Sequence, residues 1–169
     1  MRDHRGVSGR RPLLLLDVDG VLNPYAALVC PSGYVEHELF VGEEPVRVCT
    51  EHGRWVHELA IHFEVVWATA WGAEANRLLA PLLELPHLPK IRFPPAPFDP
   101  RDKLLSVISY AAQRPLVWLD DEFPVEAHAW AAKRAVATLL IDVNPVQGLT
   151  RPIIDQSLRW ADERERGID

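Results

Sequence analysis

The sequence has 169 residues, of which 48% are hydrophobic, and a formal net charge of −6 at pH 7. This length predicts one globular domain over residues 1–169, and the acidic balance predicts no stable complex with nucleic acid. Two cysteines cannot form a disulfide framework, and no secretory signal or long apolar stretch is recognised, which favours a cytoplasmic protein without membrane contact. Residues 1–11 are predicted to form a flexible basic tail.

Apolar runs then alternate with helical patterns, which predicts an α/β fold with a parallel sheet covered on both faces. Strands are predicted at residues 13–17, 64–68, 90–93, 116–120 and 138–142. Helices are predicted at about 50–63, 73–85, 99–112, 124–134 and 150–166. Pro81 should interrupt the second helix, and Asp99 and Thr150 should cap the third and the last.

The segment 24–49 fits neither a helical nor a long strand pattern. Within it, residues 34–41 and 46–48 resemble a small β-hairpin joined through a turn at 42–45. We therefore expect a flap beside the end of the first strand.

The first strand ends in two carboxylates, Asp17 and Asp19. Side chains two residues apart on an extended chain point to the same face, so these groups repel one another unless a cation lies between them. A divalent metal ion is the natural partner. The alternative interpretation is a plain Asp-Gly turn without function.

Three further features could contribute to the same site. Thr69 follows the second strand, Lys103 lies in the first turn of the third helix, and the fourth strand ends in Asp120 and Asp121. A hydroxyl and an ammonium near a helix N-terminus can bind an anion. Each feature alone also has a structural interpretation, namely a buried hydroxyl, a solvated lysine and a helix cap.

The order of these motifs resembles the haloacid dehalogenase (HAD) superfamily of phosphohydrolases. The residues 17–22 resemble its first motif, Thr69 its second, Lys103 its third and Asp120-Asp121 its fourth. The residues 17–23, 67–71 and 118–122 resemble, more narrowly, the HAD domain of Swiss Army knife RNA-repair proteins. The resemblance implies a Rossmann-like three-layer sandwich with a five-stranded parallel sheet in the order 5-4-1-2-3. The short segment between the first two motifs implies that there is no large cap.

The resemblance also implies roles for residues of the site. Asp17 would be the nucleophile that forms an aspartyl phosphate, and Asp19 the group that protonates the leaving oxygen and then activates water. Mg²⁺ is the implied cofactor, held by Asp17, the Asp19 backbone carbonyl and Asp121 or Asp120. The implied phosphate-binding residues are Thr69, Lys103, Gly20 and Ala70.

An open site suits a phosphomonoester on a macromolecule, such as a nucleic-acid or protein end. A small nucleotide or sugar phosphate, and a non-catalytic accessory module, are the alternatives. Arg92 and Arg101 could lie near the site, and Tyr25, Tyr34 and Trp71 could stack on bases, although ordinary packing explains those aromatic residues more simply. A zinc site at Cys30, Cys49, His37 and His52 is not favoured, because the spacing lacks a second ligand pair.

Overall fold

The structure is a computed structural model that describes residues 10–167. The strands of this part of the chain are β1 (Leu13–Leu16), β2 (Val35–His37), β3 (Val46–Val48), β4 (Glu64–Trp67), β5 (Leu116–Asp120) and β6 (Thr138–Asp142). Its α-helices are α1 (Glu51–His62), α2 (Ala80–Leu82), α3 (Pro100–Ala111), α4 (Val125–Lys133) and α5 (Arg151–Glu165). A π-helix at Ala75–Leu79 leads directly into α2.

Four parallel strands form the main sheet in the order β4-β1-β5-β6. The four leucines of β1 are fully buried because both faces of the sheet are covered. Leu14 and Leu16 belong to the core cluster that includes residues of α1 and α5, whereas Leu13 and Leu15 belong to the cluster with residues of α3 and α4. The predicted α/β architecture with helices on both faces is therefore confirmed.

The strand predicted at residues 90–93, the third of the five in chain order, is reduced to one bridge between Lys90 and Trp67. The prediction of a five-stranded sheet was wrong in this respect within the described residues. In this bridge the Trp67 amide donates to the Pro89 carbonyl and the Ile91 amide donates to the Trp67 carbonyl, both at 2.9 Å. Trp67 is the last residue of β4, so residues 91–93 lie past the end of the strand with which they would pair. In the numbering of the five predicted strands, β6, β5, β1 and β4 are strands 5, 4, 1 and 2. The observed order therefore matches the first four positions of the predicted order 5-4-1-2-3.

The flap forms a hairpin in which β2 and β3 pair antiparallel, with Val35 opposite Val48. The first strand of this hairpin is shorter than predicted. The helix predicted at 73–85 ends at Leu82, and it changes from π-helix to α-helix at Ala80, next to Pro81. Pro81 lies in the first turn of α2, where its missing amide hydrogen costs least.

Helix caps agree with the sequence in part. The Asp99 side chain accepts a hydrogen bond from the Arg101 amide at 2.8 Å, as predicted for a cap. Thr150 occupies the N-cap position of α5, but its hydroxyl makes no capping hydrogen bond, so that prediction was wrong in detail.

The basic tail was predicted to extend to Arg11. Most of it, residues 1–9, lies outside the described residues. Arg11 itself is bound to the domain, because its guanidinium donates to the Ala60 carbonyl and its own carbonyl accepts from Arg114 at 2.6 Å. None of the helices in residues 10–167 has the length and hydrophobicity needed to cross a bilayer.

Candidate active site

The carboxyl ends of three neighbouring strands meet at one edge of the sheet. Asp17 follows β1, Thr69 lies just beyond β4, and Asp120 ends β5. The helix α1, which connects β1 to β4, belongs to one core cluster, and α3, which precedes β5, belongs to the cluster on the other face of the sheet. The strands β4 and β5 flank β1, and ligands of open α/β sheets bind at such a point. A cavity of about 290 Å³ opens there.

The structure brings most of the predicted site residues to this cavity. Its wall contains Asp17, Asp19, Thr69, Ala70, Lys103, Asp120 and Asp121. Among the described residues that form this wall, Lys103 is the single basic one. A cavity whose wall is dominated by carboxylates has to recruit a cation before it can hold phosphate.

Gly20 is placed differently from the prediction. It does not line the cavity, and its amide donates to the Asn23 carbonyl at 2.8 Å, so a phosphate contact from Gly20 has no support here. Its φ of +81° is a left-handed conformation, and a Cβ atom at this position would lie 2.2 Å from Cγ of Asp121. Glycine is required so that the first loop can approach Asp121.

A buried ion-pair triad lies at the base of the cavity. The Lys103 ammonium is 2.9 Å from Oδ2 of Asp17 and 2.6 Å from Oδ2 of Asp120. Asp17 also accepts from the Val18 amide at 2.7 Å, so both of its oxygens are oriented by donors. Lys103 is only 8% exposed, and the pairing compensates for its removal from water.

Burial controls the protonation of the triad. It raises the pKa of Asp17 to about 7, and the neighbouring Asp120 carboxylate adds to this, although Lys103 opposes it. Burial also raises the pKa of Asp120. Burial acts to lower the pKa of Lys103, but the two carboxylates outweigh it and raise that pKa, so the lysine stays charged.

This arrangement predicts a pH effect on stability in the absence of metal. Because the pKa of Asp17 is about 7 in the folded protein and 3.8 for an unperturbed aspartate, the folded state alone takes up a proton when the pH falls from 8 to 6. With EDTA present, the melting temperature of the wild type minus that of Asp17→Asn should therefore rise by about 3 °C, or about 1 kcal/mol.

The difference between the two proteins removes from the comparison the titrating groups that do not interact with Asp17. His52 acts in the opposite direction, since burial lowers its pKa to about 4, but it is present in both proteins. A difference that stays constant or falls on acidification would contradict the assignment of the raised pKa to Asp17.

Asp19 is oriented by two side chains that the sequence did not reveal as partners. Asn23 Nδ2 donates to Oδ1 of Asp19 at 2.9 Å, and Trp71 Nε1 donates to Oδ2 at 2.9 Å. Asn23 in turn accepts from the Arg47 amide of β3 at 3.0 Å, which connects the flap to Asp19. The Asp19 carboxylate is thus fixed at the wall of the cavity without joining the ion-pair triad.

Thr69 is buried, and its Oγ1 accepts from the Trp71 amide at 3.2 Å. The acceptor role is therefore satisfied within the loop, and the hydroxyl hydrogen is left to donate. That is the polarity required to bind a phosphoryl oxygen.

The sequence matches the family described as the HAD domain in Swiss Army Knife RNA repair proteins over residues 13–154. The chain belongs to this family. The matched span contains every residue of the cavity wall. Among curated proteins none matches the chain.

Membership of the HAD family raises the question of a metal ion, because such domains typically use Mg²⁺. Carboxylate oxygens of Asp17, Asp120 and Asp121 lie within 4.8 Å of one another. Magnesium prefers oxygen ligands of this kind, and several carboxylates facing one ammonium leave excess negative charge. The residues of this HAD domain therefore fit a divalent cation.

The two candidate ligands at the end of β5 differ in their surroundings. Asp120 already accepts hydrogen bonds from Lys103, from the Trp118 indole at 3.1 Å and from the Glu122 amide at 3.1 Å. Asp121 accepts from the Tyr25 hydroxyl at 3.2 Å, lines the cavity and is only half-buried. Burial raises the pKa of Asp121, and the charge of Asp17 adds to this, as expected for carboxylates that lack a cation.

Other predicted neighbours lie away from the cavity. Arg92 lines a different surface depression, and Arg101 forms an ion pair with Glu126 at 2.8 Å. Tyr34 packs edge-on against His52. The clusters of possible metal ligands found among the described residues include neither Cys30 nor Cys49.

Proposed function

We propose that this HAD domain is a Mg²⁺-dependent phosphatase that hydrolyses a phosphomonoester through an aspartyl phosphate. The observation that supports the proposal most strongly is the convergence of the Asp17 nucleophile candidate, the Lys103 ammonium and the Asp121 carboxylate at one cavity.

In the first half of the reaction, a carboxylate oxygen of Asp17 attacks phosphorus and the bond to the leaving oxygen breaks. Asp19 donates its proton to that oxygen as the bond breaks. Both Asp17 and Asp19 line the cavity, and the oxygens of both are held by donors, so neither has to be ordered when the substrate binds.

In the second half, the Asp19 carboxylate removes a proton from water as the water oxygen attacks phosphorus. The bond between phosphorus and Asp17 then breaks and inorganic phosphate leaves. Lys103 and the Thr69 hydroxyl would hold phosphoryl oxygens in both steps, together with the loop at Ala70.

Asp17, Asp121 and the Asp19 backbone carbonyl would hold Mg²⁺, and Asp120 would position Lys103. A bound Mg²⁺ supplies positive charge that offsets the repulsion between the acidic cavity and the phosphate. Asp121 is assigned as the direct ligand because it lines the cavity and is only half-buried. Asp120, in contrast, already accepts hydrogen bonds from three donors.

The proposal predicts that millimolar Mg²⁺ activates hydrolysis of 4-nitrophenyl phosphate and raises the melting temperature relative to EDTA. The stabilisation follows because the ion binds the native state alone, and the activation follows because its charge offsets the repulsion between the acidic cavity and the phosphate. Asp121→Asn should remove most of each effect. Asp142→Asn is the matched control, since Asp142 is an exposed carboxylate at the end of the neighbouring strand β6 and lies outside the cavity.

The outcomes separate the enzyme from the accessory module. Stabilisation by Mg²⁺ without turnover of 4-nitrophenyl phosphate or a 5′-phosphorylated oligonucleotide would favour a module that keeps the fold and the metal. A melting temperature that Mg²⁺ leaves unchanged in the wild type would contradict the metal site itself.

A further inference from the structure

A second cavity, of about 670 Å³, adjoins the candidate active site. Its wall combines the flap with the loop that follows β1. Asp19 and Tyr25 line both cavities, so the two spaces meet at these residues. The second cavity is therefore the continuation of the first toward the flap.

The position of Asp19 between the two cavities determines which part of the substrate each cavity would hold. Asp17, Thr69 and Lys103 line only the first cavity, which is where the proposed function places the phosphoryl group. Asp19 is the proposed proton donor to the leaving oxygen, so that oxygen has to lie beside it. The part of the substrate that departs with the oxygen then extends into the second cavity.

The wall of the second cavity offers aromatic surface. Tyr25, Phe40 and Trp71 line it, and Phe40 packs edge-on against Trp71 with ring centroids 4.9 Å apart. Tyr25 is 56% exposed, so much of its surface is accessible. Such surfaces favour a planar ring in the substrate.

The charge of the same wall is negative. Its acidic residues are Asp19, Glu36, Glu43 and Glu44, and Arg47 is the single basic residue among the described residues that line it. The Arg47 guanidinium is already bound, because it donates to Glu36 at 3.2 Å and to the carbonyls of Pro24 and Ala27 at 3.2 and 2.7 Å. The cavity therefore repels anions and attracts cations.

We propose, on the basis of the proposed phosphatase function, that the second cavity selects a small phosphomonoester whose departing part is a planar ring with a cationic amino group and no further anionic group. A nucleic-acid strand fits this surface less well. Its next phosphodiester would face the glutamates of the flap, and no basic side chain of the wall is left to neutralise it.

The test uses three phosphate esters of nearly equal shape, namely the O-phosphates of tyramine, of 4-ethylphenol and of 3-(4-hydroxyphenyl)propionic acid. Their distal groups are cationic, neutral and anionic, and two carbons and the ring separate that charge from the reacting oxygen. With Mg²⁺ present, kcat/KM should decrease in that order, and the cationic ester should exceed the anionic one by about tenfold or more at low salt.

Variants of the flap test whether this cavity causes the preference for the cationic ester. Glu43→Gln combined with Glu44→Gln should lower the cation-to-anion ratio of kcat/KM at least threefold, and any intrinsic difference between the esters cancels in this comparison. Glu38→Gln is the matched control, because Glu38 is an exposed carboxylate of the same segment that does not line the cavity. The control should keep the wild-type ratio.

Three results would overturn the inference. The first is a cation-to-anion ratio of kcat/KM near one in the wild type, and the second is a ratio that the double variant leaves unchanged. The third is faster hydrolysis of a 5′-phosphorylated oligonucleotide than of tyramine phosphate. Each of these results contradicts the inference and leaves the phosphatase function intact. If none of the probes is hydrolysed, the proposed function fails and this inference fails with it.

Discussion

Replacement of Asp17 by alanine is expected to lower hydrolysis by at least about three orders of magnitude, because the group that forms the bond to phosphorus is then missing. Asp19→Ala should abolish turnover to a similar extent. Asp19→Asn should differ from both, since it keeps the shape of the side chain but can neither protonate the leaving oxygen nor activate water. With a good leaving group, an aspartyl phosphate should then form on Asp17 and break down slowly.

Mass spectrometry of acid-quenched enzyme measures this directly as a mass increase on the peptide that contains Asp17. A phosphate-mimicking fluoride that protects the wild type but not Asp17→Ala would support the same site. Asp102→Asn provides a control, because Asp102 lies beside Lys103 in the first turn of α3 and does not line the cavity. Appreciable activity in Asp17→Ala would rule out the covalent mechanism.

The fold and the strand-end residues could be predicted from sequence because they depend on local patterns. A short apolar run that ends in a carboxylate identifies both a buried strand and the side chain at its end. Parallel strands then bring those ends together without further information, and the structure places Asp17, Thr69 and Asp120 at one cavity accordingly. Trp67 and Trp118 lie in the predicted strands 64–68 and 116–120, and both are fully buried.

The hydrogen-bond donors to the carboxylates of the site could not be predicted in the same way. Trp71 and Asp19 are 52 positions apart in the sequence, and Tyr25 and Asp121 are 96 apart. Nothing in the local pattern near Trp71 shows that its indole donates to a carboxylate. Such pairs depend on the tertiary packing of loops, and that packing became visible only in the structure.

Two of the predicted secondary-structure elements, at residues 90–93 and 73–85, were given the wrong bounds. The residues 90–93 have strand propensity, but Lys90 lies opposite Trp67, the last residue of β4, so residues 91–93 extend past the end of the strand with which they would pair. Residues 73–85 are helical in pattern, and the observed helical conformation runs from residue 73 to residue 82. In both cases the periodicity of apolar residues located the element, and the error lies in where the element ends.

Lys103→Met is expected to destabilise the metal-free protein by about 3 kcal/mol, or about 10 °C in melting temperature. The substitution keeps the length of the side chain but leaves Asp17 and Asp120 buried without their counter-ion. The loss should be larger at pH 8 than at pH 6, because the pKa of Asp17, already about 7 with Lys103 present, rises further without it and a proton then replaces the missing charge at the lower pH. Mg²⁺ should restore part of the stability by compensating the same carboxylates.

The activity of Lys103→Met should nevertheless remain lower by about two to three orders of magnitude in saturating Mg²⁺, since the ammonium that holds the transferring phosphoryl group is absent. Lys133→Met is the matched control, because Lys133 is an exposed lysine in the last turn of α4 and its replacement should change stability by less than about 0.5 kcal/mol. Chemical denaturation at the two pH values and turnover of 4-nitrophenyl phosphate measure both properties. If Lys103→Met were as stable and as active as Lys133→Met, the triad would be an incidental contact, and the positive charge at the base of the cavity would have to come from the metal ion alone.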